Sequence, residues 1–538
     1  MVFCDENKVL YGPSSLNKLP LVSTGKLLFE KIKNAPKKKA ALINEPSGVQ
    51  MNYEDLLIQS VKLAKYFQNV GVHEGDTISV ISENTTKFVI PVLAALYQGV
   101  AVNCLSHTYT TGEFARLLNH TKPKLIFCSE IVQLKLKPLR ERAPYINEII
   151  TFGEIPYEGM LEQILLQVTD NDIDSFQPKD VNPYDTIALI LTSSGTTGLP
   201  KSVLLPHICS RQSFIFMSDK DYGHMNSNDI SSLVVPVTHP FGLILLTSVL
   251  YTNSTAVIMG KFQPECYLNA IQKHKITKLY VVPTIMNLLA KSDLLENYNL
   301  ESVCDIVCAG APLSVNISKV VKERFKFAKV RQMYGLTELG TGASMQLWNN
   351  QKILSSVGKL IHDLEGKIWD RERNVALGPY QKGELLIKGP ISMKGYIDNK
   401  EETDAAFDDE GFLRTGDAAY YDDDGNIYIV DRFKELIKYK GFQVAPAEIE
   451  SLLLKNPNVR ECAVVPKPDE KAGEVPIAFV VKQGSNVTER ELVQEVNEQL
   501  SINKRLYGGI VFVDELPKNS FGKILRNSLK LQAASYCK

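Results

Sequence analysis

Residues 191 to 201 read Leu-Thr-Ser-Ser-Gly-Thr-Thr-Gly-Leu-Pro-Lys, a stretch whose hydroxyls, glycines and lysine are suited to holding a polyphosphate. The apolar run 186–191 predicts a buried strand. The loop after it offers free backbone N–H groups, the hydroxyls of Ser193, Ser194, Thr196 and Thr197, and the charge of Lys201. Gly195 and Gly198 adopt positive φ cheaply and leave room for close approach of an anion. A Walker-type loop is excluded by spacing, because the fifth residue after Gly195 is Pro200 where that pattern requires glycine. Taken alone, the segment also fits a ligand-free Ser/Thr/Gly turn.

Further segments along the chain decide between these readings. They are Gln332-Met333-Tyr334-Gly335-Leu336-Thr337-Glu338, Arg414-Thr415-Gly416-Asp417, Asp431-Arg432-Phe433-Lys434, and the polar loop from Pro517 to Lys523. With the 191–201 loop, their order and spacing closely resemble the adenylate-forming superfamily of acyl-CoA synthetases, plant 4-coumarate:CoA ligases and beetle luciferases, over nearly the whole chain. The resemblance implies a carboxylate attacking the α-phosphate of ATP, loss of pyrophosphate, and transfer of the acyl group from the adenylate to coenzyme A, or its reaction with O2 in a luciferase.

The roles that follow are those the resemblance implies. Lys523 is the adenylation lysine, set against charge that accumulates on phosphorus. Thr196 and Glu338 hold Mg2+, which prefers hard oxygen ligands. Asp417 accepts the ribose hydroxyls, with Arg432 beside the sugar. Gly310, Ala311 and Pro312 line the adenine, Gln332 and Tyr334 complete that slot, and Gly335 and Thr337 belong to the same nucleotide-binding motif. His239 lies beside the acyl carboxylate, and a pocket of Phe241, Leu245, Gly340 and Ala343 suits a medium or long fatty acid or an aryl acid. After adenylation the small domain turns about a hinge at Lys434, withdrawing Lys523 and bringing Lys438, Lys440 and Gly441 to the site for the coenzyme A step. Several of these residues have a plainer reading: a core aromatic for Tyr334, a loop cap for Asp417, a surface ion pair for Arg432, a structural histidine for His239, and a solvated lysine for Lys523.

The chain departs from the family at several positions. Ser202 stands where glycine is usual, Thr238-His239-Pro240-Phe241 replaces the His-His-Gly-Phe of beetle luciferases, and Ser213 lies near the position of their luciferin-contacting arginine. Three readings follow: an acid:CoA ligase, a luciferin monooxygenase sharing the adenylation step, and a non-catalytic acyl or nucleotide binder. Retention of Lys523, Asp417, Arg432 and Glu338 together opposes the third.

The elements that must position these groups follow α/β grammar, with strand-like runs at 77–81, 124–128, 279–282 and 303–308 alternating with helical patterns. A helix is expected from about Tyr53 with Leu57, Val61 and Ala64 on one face and Gly71 ending it. At 538 residues the chain exceeds one core, so at least two domains are expected, with a junction at Asp431 to Lys434, and the resemblance implies a large N-terminal multi-sheet α/β domain over 1–431 and a smaller mobile C-terminal α+β domain over 432–538. The 60 basic and 61 acidic residues give a net charge of -1, which argues against nucleic acid as a partner. Nine scattered cysteines without a CxxC pair predict reduced thiols. The apolar window 88–104 contains Pro91, Gln98 and Gly99 and reads as a buried helix and strand, so no integral membrane segment is expected. A cytoplasmic monomer or weak homodimer acting on a small carboxylic acid is the expectation, since the final residues are not the Ser-Lys-Leu peroxisomal signal.

Overall fold

A computed structural model of the chain describes residues 3–15, 19–153, 159–169, 171–194, 200–350, 353–440, 442–484, 487–519 and 523–536. Their strands form four sheets, and together they make a large N-terminal α/β domain with several sheets and a smaller C-terminal domain. Two sheets, of eight and nine strands, carry the parallel α/β part. In the first, Thr77–Ile81 lies between Ala101–Leu105 and Leu125–Cys128, all parallel. In the second, Lys278–Val281, Asp305–Cys308 and Lys329–Leu336 run parallel. Parallel strands buried on both faces explain the continuous apolar runs in the sequence.

The helices follow their sequence cues. The helix Tyr53–Asn69 is capped by the Asn52 side chain and followed by Gly71 at φ 72°. Its buried stripe passes through Leu56, Val61, Ala64 and Phe67, with Leu57 at the stripe's edge rather than its centre. The window 88–104 resolves into the helix Val89–Gln98, every residue of it buried, and the strand Ala101–Leu105. Gly99 between them sits at φ 69°, a left-handed turn that ends the helix. No described helix is long and apolar enough to cross a membrane. Cys104, Cys128, Cys209, Cys266, Cys304, Cys308 and Cys462 are free thiols, and all but Cys266 and Cys304 are buried.

A third, seven-stranded sheet is antiparallel and includes the hairpin Leu413–Tyr421 and Ile427–Arg432, turned by the acidic stretch 422–426. The pairs Tyr421↔Ile427 and Tyr420↔Tyr428 set a register which, if continued, would face Asp417 with Asp431. A bulge between Ala418 and Ala419 shifts it by one, so Asp417 pairs with Arg432 instead. The bulge thereby replaces a carboxylate–carboxylate apposition with an ion pair.

The fourth sheet comprises Ile437–Tyr439, Phe442–Val444, Val459–Asp469, Gly473–Lys482 and Ile510–Phe512. Apolar clusters on its two faces bury the helices Pro446–Leu453 and Glu489–Gln499 on one side and Arg526–Ser535 on the other. Pro446 occupies the first turn of its helix, where a missing N–H costs nothing. A short 3₁₀ turn, Phe433–Glu435, links this unit to the antiparallel sheet.

Candidate active site

The parallel strands of one sheet share one direction, and the loops after two of them carry expected site residues. Asp305–Cys308 leads into Gly310, Ala311 and Pro312, and Lys329–Leu336, which contains Gly335, leads into Thr337 and Glu338. Gly310, Ala311 and Pro312 are exposed, and Gly310 has φ 92°. A Cβ at Gly310 would meet only Val282 at 3.7 Å, so this strip is an open, backbone-lined wall. Gly335 has a different reason to be glycine, because a Cβ there would press to 2.7 Å from the Thr341 carbonyl. Gln332 is committed to the fold: its N–H donates to Gln346 Oε1 at 2.9 Å and its Nε2 to the Leu354 carbonyl at 2.6 Å.

The 191–201 loop is the tip of an antiparallel hairpin between Ile187–Ser194 and Pro200–Pro206, with Ser193 opposite Lys201. Gly195, Thr196, Thr197, Gly198 and the Ser194 side chain lie outside the described residues. The two ends of the tip are held by acids. Ser193 Oγ donates to Glu338 Oε1 at 2.6 Å, and the Tyr396 hydroxyl donates to the same oxygen at 3.1 Å. Lys201 Nζ is 2.5 Å from Glu402 and 4.9 Å from the centre of the Tyr396 ring. Glu338 sits in the 3₁₀ turn Thr337–Leu339, which closes on Gly340 at φ 63°. A Cβ at Gly340 would approach Leu205 to 3.0 Å, so both conformation and space select glycine.

On the facing hairpin, Asp417 is 5% exposed. It accepts a hydrogen bond from the Tyr334 hydroxyl at 2.6 Å and lies 3.3 Å from Arg432 Nε. Thr415 Oγ1 accepts the Asp417 N–H at 3.1 Å and donates to the Leu385 carbonyl. Burial pushes the Asp417 carboxyl above its ordinary range, with Arg432, Tyr334 and Lys523 working the other way.

Lys523 is carried into this neighbourhood from the far end of the chain. Its side chain keeps access to water, yet the protein around it and then the Arg432 charge lower its pKa to about 8, while Asp417 and Glu338 pull it up. The same ammonium acts on His239, whose pKa falls to about 3 through burial first and Lys523 second. His239 is therefore neutral. It caps the helix Pro240–Tyr251, its Nδ1 accepting the Phe241 N–H at 3.3 Å, which leaves the proton on Nε2. Asp417, Arg432, Glu338, His239 and Lys523 thus share one electrostatic neighbourhood.

Other expected positions lie apart from it. Lys438 is exposed, with its N–H donating to Glu474 at 2.7 Å, and Lys440 is exposed at φ 46°, with its N–H donating to the Ala472 carbonyl at 2.9 Å. Both are tied to the small domain's own hairpin, and Gly441 lies outside the described residues. Lys434 is exposed in the linking turn, its pKa lowered by burial and by Arg432. Phe241, Leu245 and Ala343 belong to one core cluster, and Leu245 and Ala343, at 1% and 0% exposure, have no water-sized void against them. Ser213 is also buried, its Oγ 2.6 Å from Thr341 Oγ1.

The sequence reading passed over Tyr396, Glu402 and Thr415, which hold Glu338, Lys201 and Asp417. The one signal for Thr415 was its place inside the Arg414-Thr415-Gly416-Asp417 motif; Tyr396 and Glu402 carry none. Among the described residues no group of three or more His, Cys, Asp or Glu side chains is arranged to hold a metal ion. A divalent ion here would rely on Glu338 together with phosphate oxygens, the usual coordination of nucleotide-bound Mg2+.

The sequence matches the AMP-binding enzyme family over residues 28–397 and the AMP-binding enzyme C-terminal domain over 448–523. It is 36% identical to luciferin 4-monooxygenase of Photinus pyralis over 97% of this chain and 96% of that protein. It is 37% identical to 4-coumarate–CoA ligase 1 of Petroselinum crispum, covering 92% of each. Among solved structures, ATP-bound MatB from Rhodopseudomonas palustris aligns at a TM-score of 0.85 and 25% identity, over 95% of this chain and 99% of that one. Sequence, fold and the clustering of its motif residues agree that the chain belongs to the adenylate-forming AMP-binding enzyme family.

Proposed function

We propose that this protein is an ATP-dependent carboxylic acid:CoA ligase, acting on a medium or long-chain fatty acid or an aryl acid. The observation that carries the reading is the convergence of Lys523 with Arg432, Asp417 and Glu338, groups separated in sequence and brought to one crevice. Asp417 would accept hydrogen bonds from the ribose hydroxyls. The 310–312 strip and Tyr334 would flank the adenine, and Ser193, Ser194, Gly195, Thr196, Thr197, Gly198 and Lys201 would surround the phosphates. Lys201 and Ser193 would exchange their present carboxylate partners for phosphate oxygens. Mg2+ held through Glu338 and Thr196 would supply charge neutralisation when bound with ATP.

In the first step an oxygen of the substrate carboxylate attacks the α-phosphorus and pyrophosphate leaves. Negative charge grows on the phosphoryl oxygens, and the Lys523 ammonium stands to neutralise it. Neutral His239, with its proton on Nε2, can donate to the acid's carboxylate from the start of the Pro240–Tyr251 helix, whose dipole favours an anion there. An acyl chain entering towards Phe241, Leu245, Gly340 and Ala343 would have to open the present packing. In the second step the small domain, taken as 432–538, turns about Lys434 and presents Lys438, Lys440 and Gly441. The coenzyme A thiolate then attacks the acyl carbonyl and AMP leaves.

A second reading, luciferin monooxygenase, is favoured by the similarity to the Photinus enzyme. It shares every residue assigned to the first step and replaces coenzyme A with O2. Purified protein with Mg-ATP and a panel of acids separates the two when pyrophosphate release, CoA consumption and light are followed together. Pyrophosphate with stoichiometric CoA consumption supports the ligase; pyrophosphate and photons without CoA consumption support the monooxygenase. No pyrophosphate with any acid would favour the non-catalytic binder.

A further inference from the structure

We propose that Asp431 and Arg526 are positioning residues that seat the small domain so that Lys523 reaches the crevice. Neither belongs to the set expected to touch nucleotide or acid, and both are substantially buried.

On the small-domain side, Arg526 is the first residue of the helix Arg526–Ser535, three positions after Lys523. Its Nη1 donates to the Val464 carbonyl at 2.7 Å and lies 2.7 Å from Glu450 Oε1, while Nη2 donates to Glu450 Oε2 at 2.9 Å. Glu450 Oε1 also accepts the Val464 N–H at 2.7 Å. This two-pronged pair rivets the base of the lysine's loop to the sheet and to the helix Pro446–Leu453. The loop's neck is closed as well: Asn519 N–H donates to the Lys523 carbonyl at 2.8 Å, Lys523 N–H to Asn519 Oδ1 at 2.9 Å, and Leu525 N–H to the Pro517 carbonyl at 2.8 Å. Where Arg526 goes, Lys523 follows.

On the large-domain side, Asp431 precedes Arg432 in the strand Ile427–Arg432, and the bulge turns it away from Asp417. Its Oδ1 accepts the Arg432 N–H at 2.8 Å. Its Oδ2 accepts the Ala447 N–H at 3.1 Å, in the first turn of the helix that carries Glu450. Burial raises the Asp431 pKa to about 6, while the Arg526 guanidinium and the Arg432 and Ala447 N–H groups pull it back and Glu450 adds to the rise. Ala418, Leu436 and Ala445, with Val430 and Phe433, seal the junction with apolar surface. One carboxylate therefore ties the strand bearing Arg432 to the helix whose Glu450 holds Arg526.

The inference rests on the reading of Lys523 as the adenylation lysine, so its test has an arm that needs no substrate. The rate of Lys523 acetylation by sulfo-N-hydroxysuccinimide acetate is followed by mass spectrometry from pH 7 to 10.5 in the wild type, D431N and R526K. In the seated domain Lys523 titrates near 8, and unseating returns it towards its ordinary value of 10.5. Both variants are expected to shift the midpoint upward and to slow acetylation at pH 8 by about tenfold or more, with the unfolding temperature little changed in D431N. In parallel, pyrophosphate release with dodecanoic and 4-coumaric acids should slow about tenfold, while thioester formation from a supplied acyl-adenylate stays within about twofold. An unmoved midpoint in both variants, or equal loss of both half-reactions, overturns the proposal. A shifted midpoint in a protein that releases no pyrophosphate with any acid would support the seating role and defeat the catalytic reading instead.

Discussion

The alkaline limb of the adenylation step follows from a single charge. Burial and the neighbouring Arg432 guanidinium bring Lys523 to about 8, from 10.5 for an ordinary lysine. The cation is the active form, since it opposes negative charge on phosphorus, so activity is full below that value and lost as pH rises through it. At pH 9 about one-tenth of the free enzyme retains the proton, and at pH 10 about one-hundredth. Because kcat/KM reports the free enzyme, kcat/KM for ATP in pyrophosphate release should fall about tenfold per unit above pH 8. Bound phosphates place negative charge beside the ammonium and raise its pKa, so the limb in kcat should begin at higher pH than that in kcat/KM. Lys523→Arg should move both limbs beyond pH 10 and lower the plateau, because the planar guanidinium keeps its charge but occupies a different position. The assay is continuous pyrophosphate detection from pH 7 to 10 with the acid saturating. A flat kcat/KM for ATP between pH 7.5 and 9.5, or the same limb in Lys523→Arg, would refute the assignment of the limb to this group.

Further expectations concern neighbouring residues and one buried histidine. Asp417→Asn removes the charge that Arg432 and the Tyr334 hydroxyl now address. Losing charged hydrogen bonds to ribose, at roughly 1.5–3 kcal/mol each, should raise KM for ATP by about ten- to a hundredfold in steady-state kinetics, with a smaller change in kcat. Glu338→Gln should raise the Mg2+ concentration needed for half-maximal pyrophosphate release by about tenfold or more, as expected for the loss of a hard anionic ligand. His207, fully buried with neither ring nitrogen partnered among the described residues, has its pKa lowered by burial to about 4. Its folded-state value lies below the unfolded one, so its contribution to stability is intact above about pH 6.5 and is lost as pH falls towards 4. Urea titrations should show roughly 2–3 kcal/mol of this loss between pH 7 and 4.5, and His207→Leu should shrink it.

Local chemistry was legible in the sequence wherever one segment contains both the cue and its consequence. The acidic turn at 422–426 gave its hairpin, Pro446 opened its helix, and Gly71 and Gly99 ended theirs. The cross-strand pairing of Asp417 with Arg432 was not legible, because it depends on a bulge at Ala418 that no turn residue announces. Long-range partners were equally hidden. Tyr396, in the strand Gly395–Tyr396, and Glu402, in the helix Lys400–Ala405, reach Glu338 and Lys201 through tertiary packing, and nothing in their local sequence announces it. The expected acyl pocket shows the opposite limit: Leu245 and Ala343 are apolar at the expected positions, but apolarity also suits a filled core, and the core is filled.

In the proposed cycle a lysine of the C-terminal domain enters the large domain's crevice to serve adenylation and leaves before thioester formation. Its most direct test is Lys523→Ala assayed in two halves: pyrophosphate release from Mg-ATP and acid, and CoA thioester formation from a supplied acyl-adenylate. Near-complete loss of the first is expected, with the second largely preserved. Equal loss of both halves, or undiminished pyrophosphate release, would contradict it.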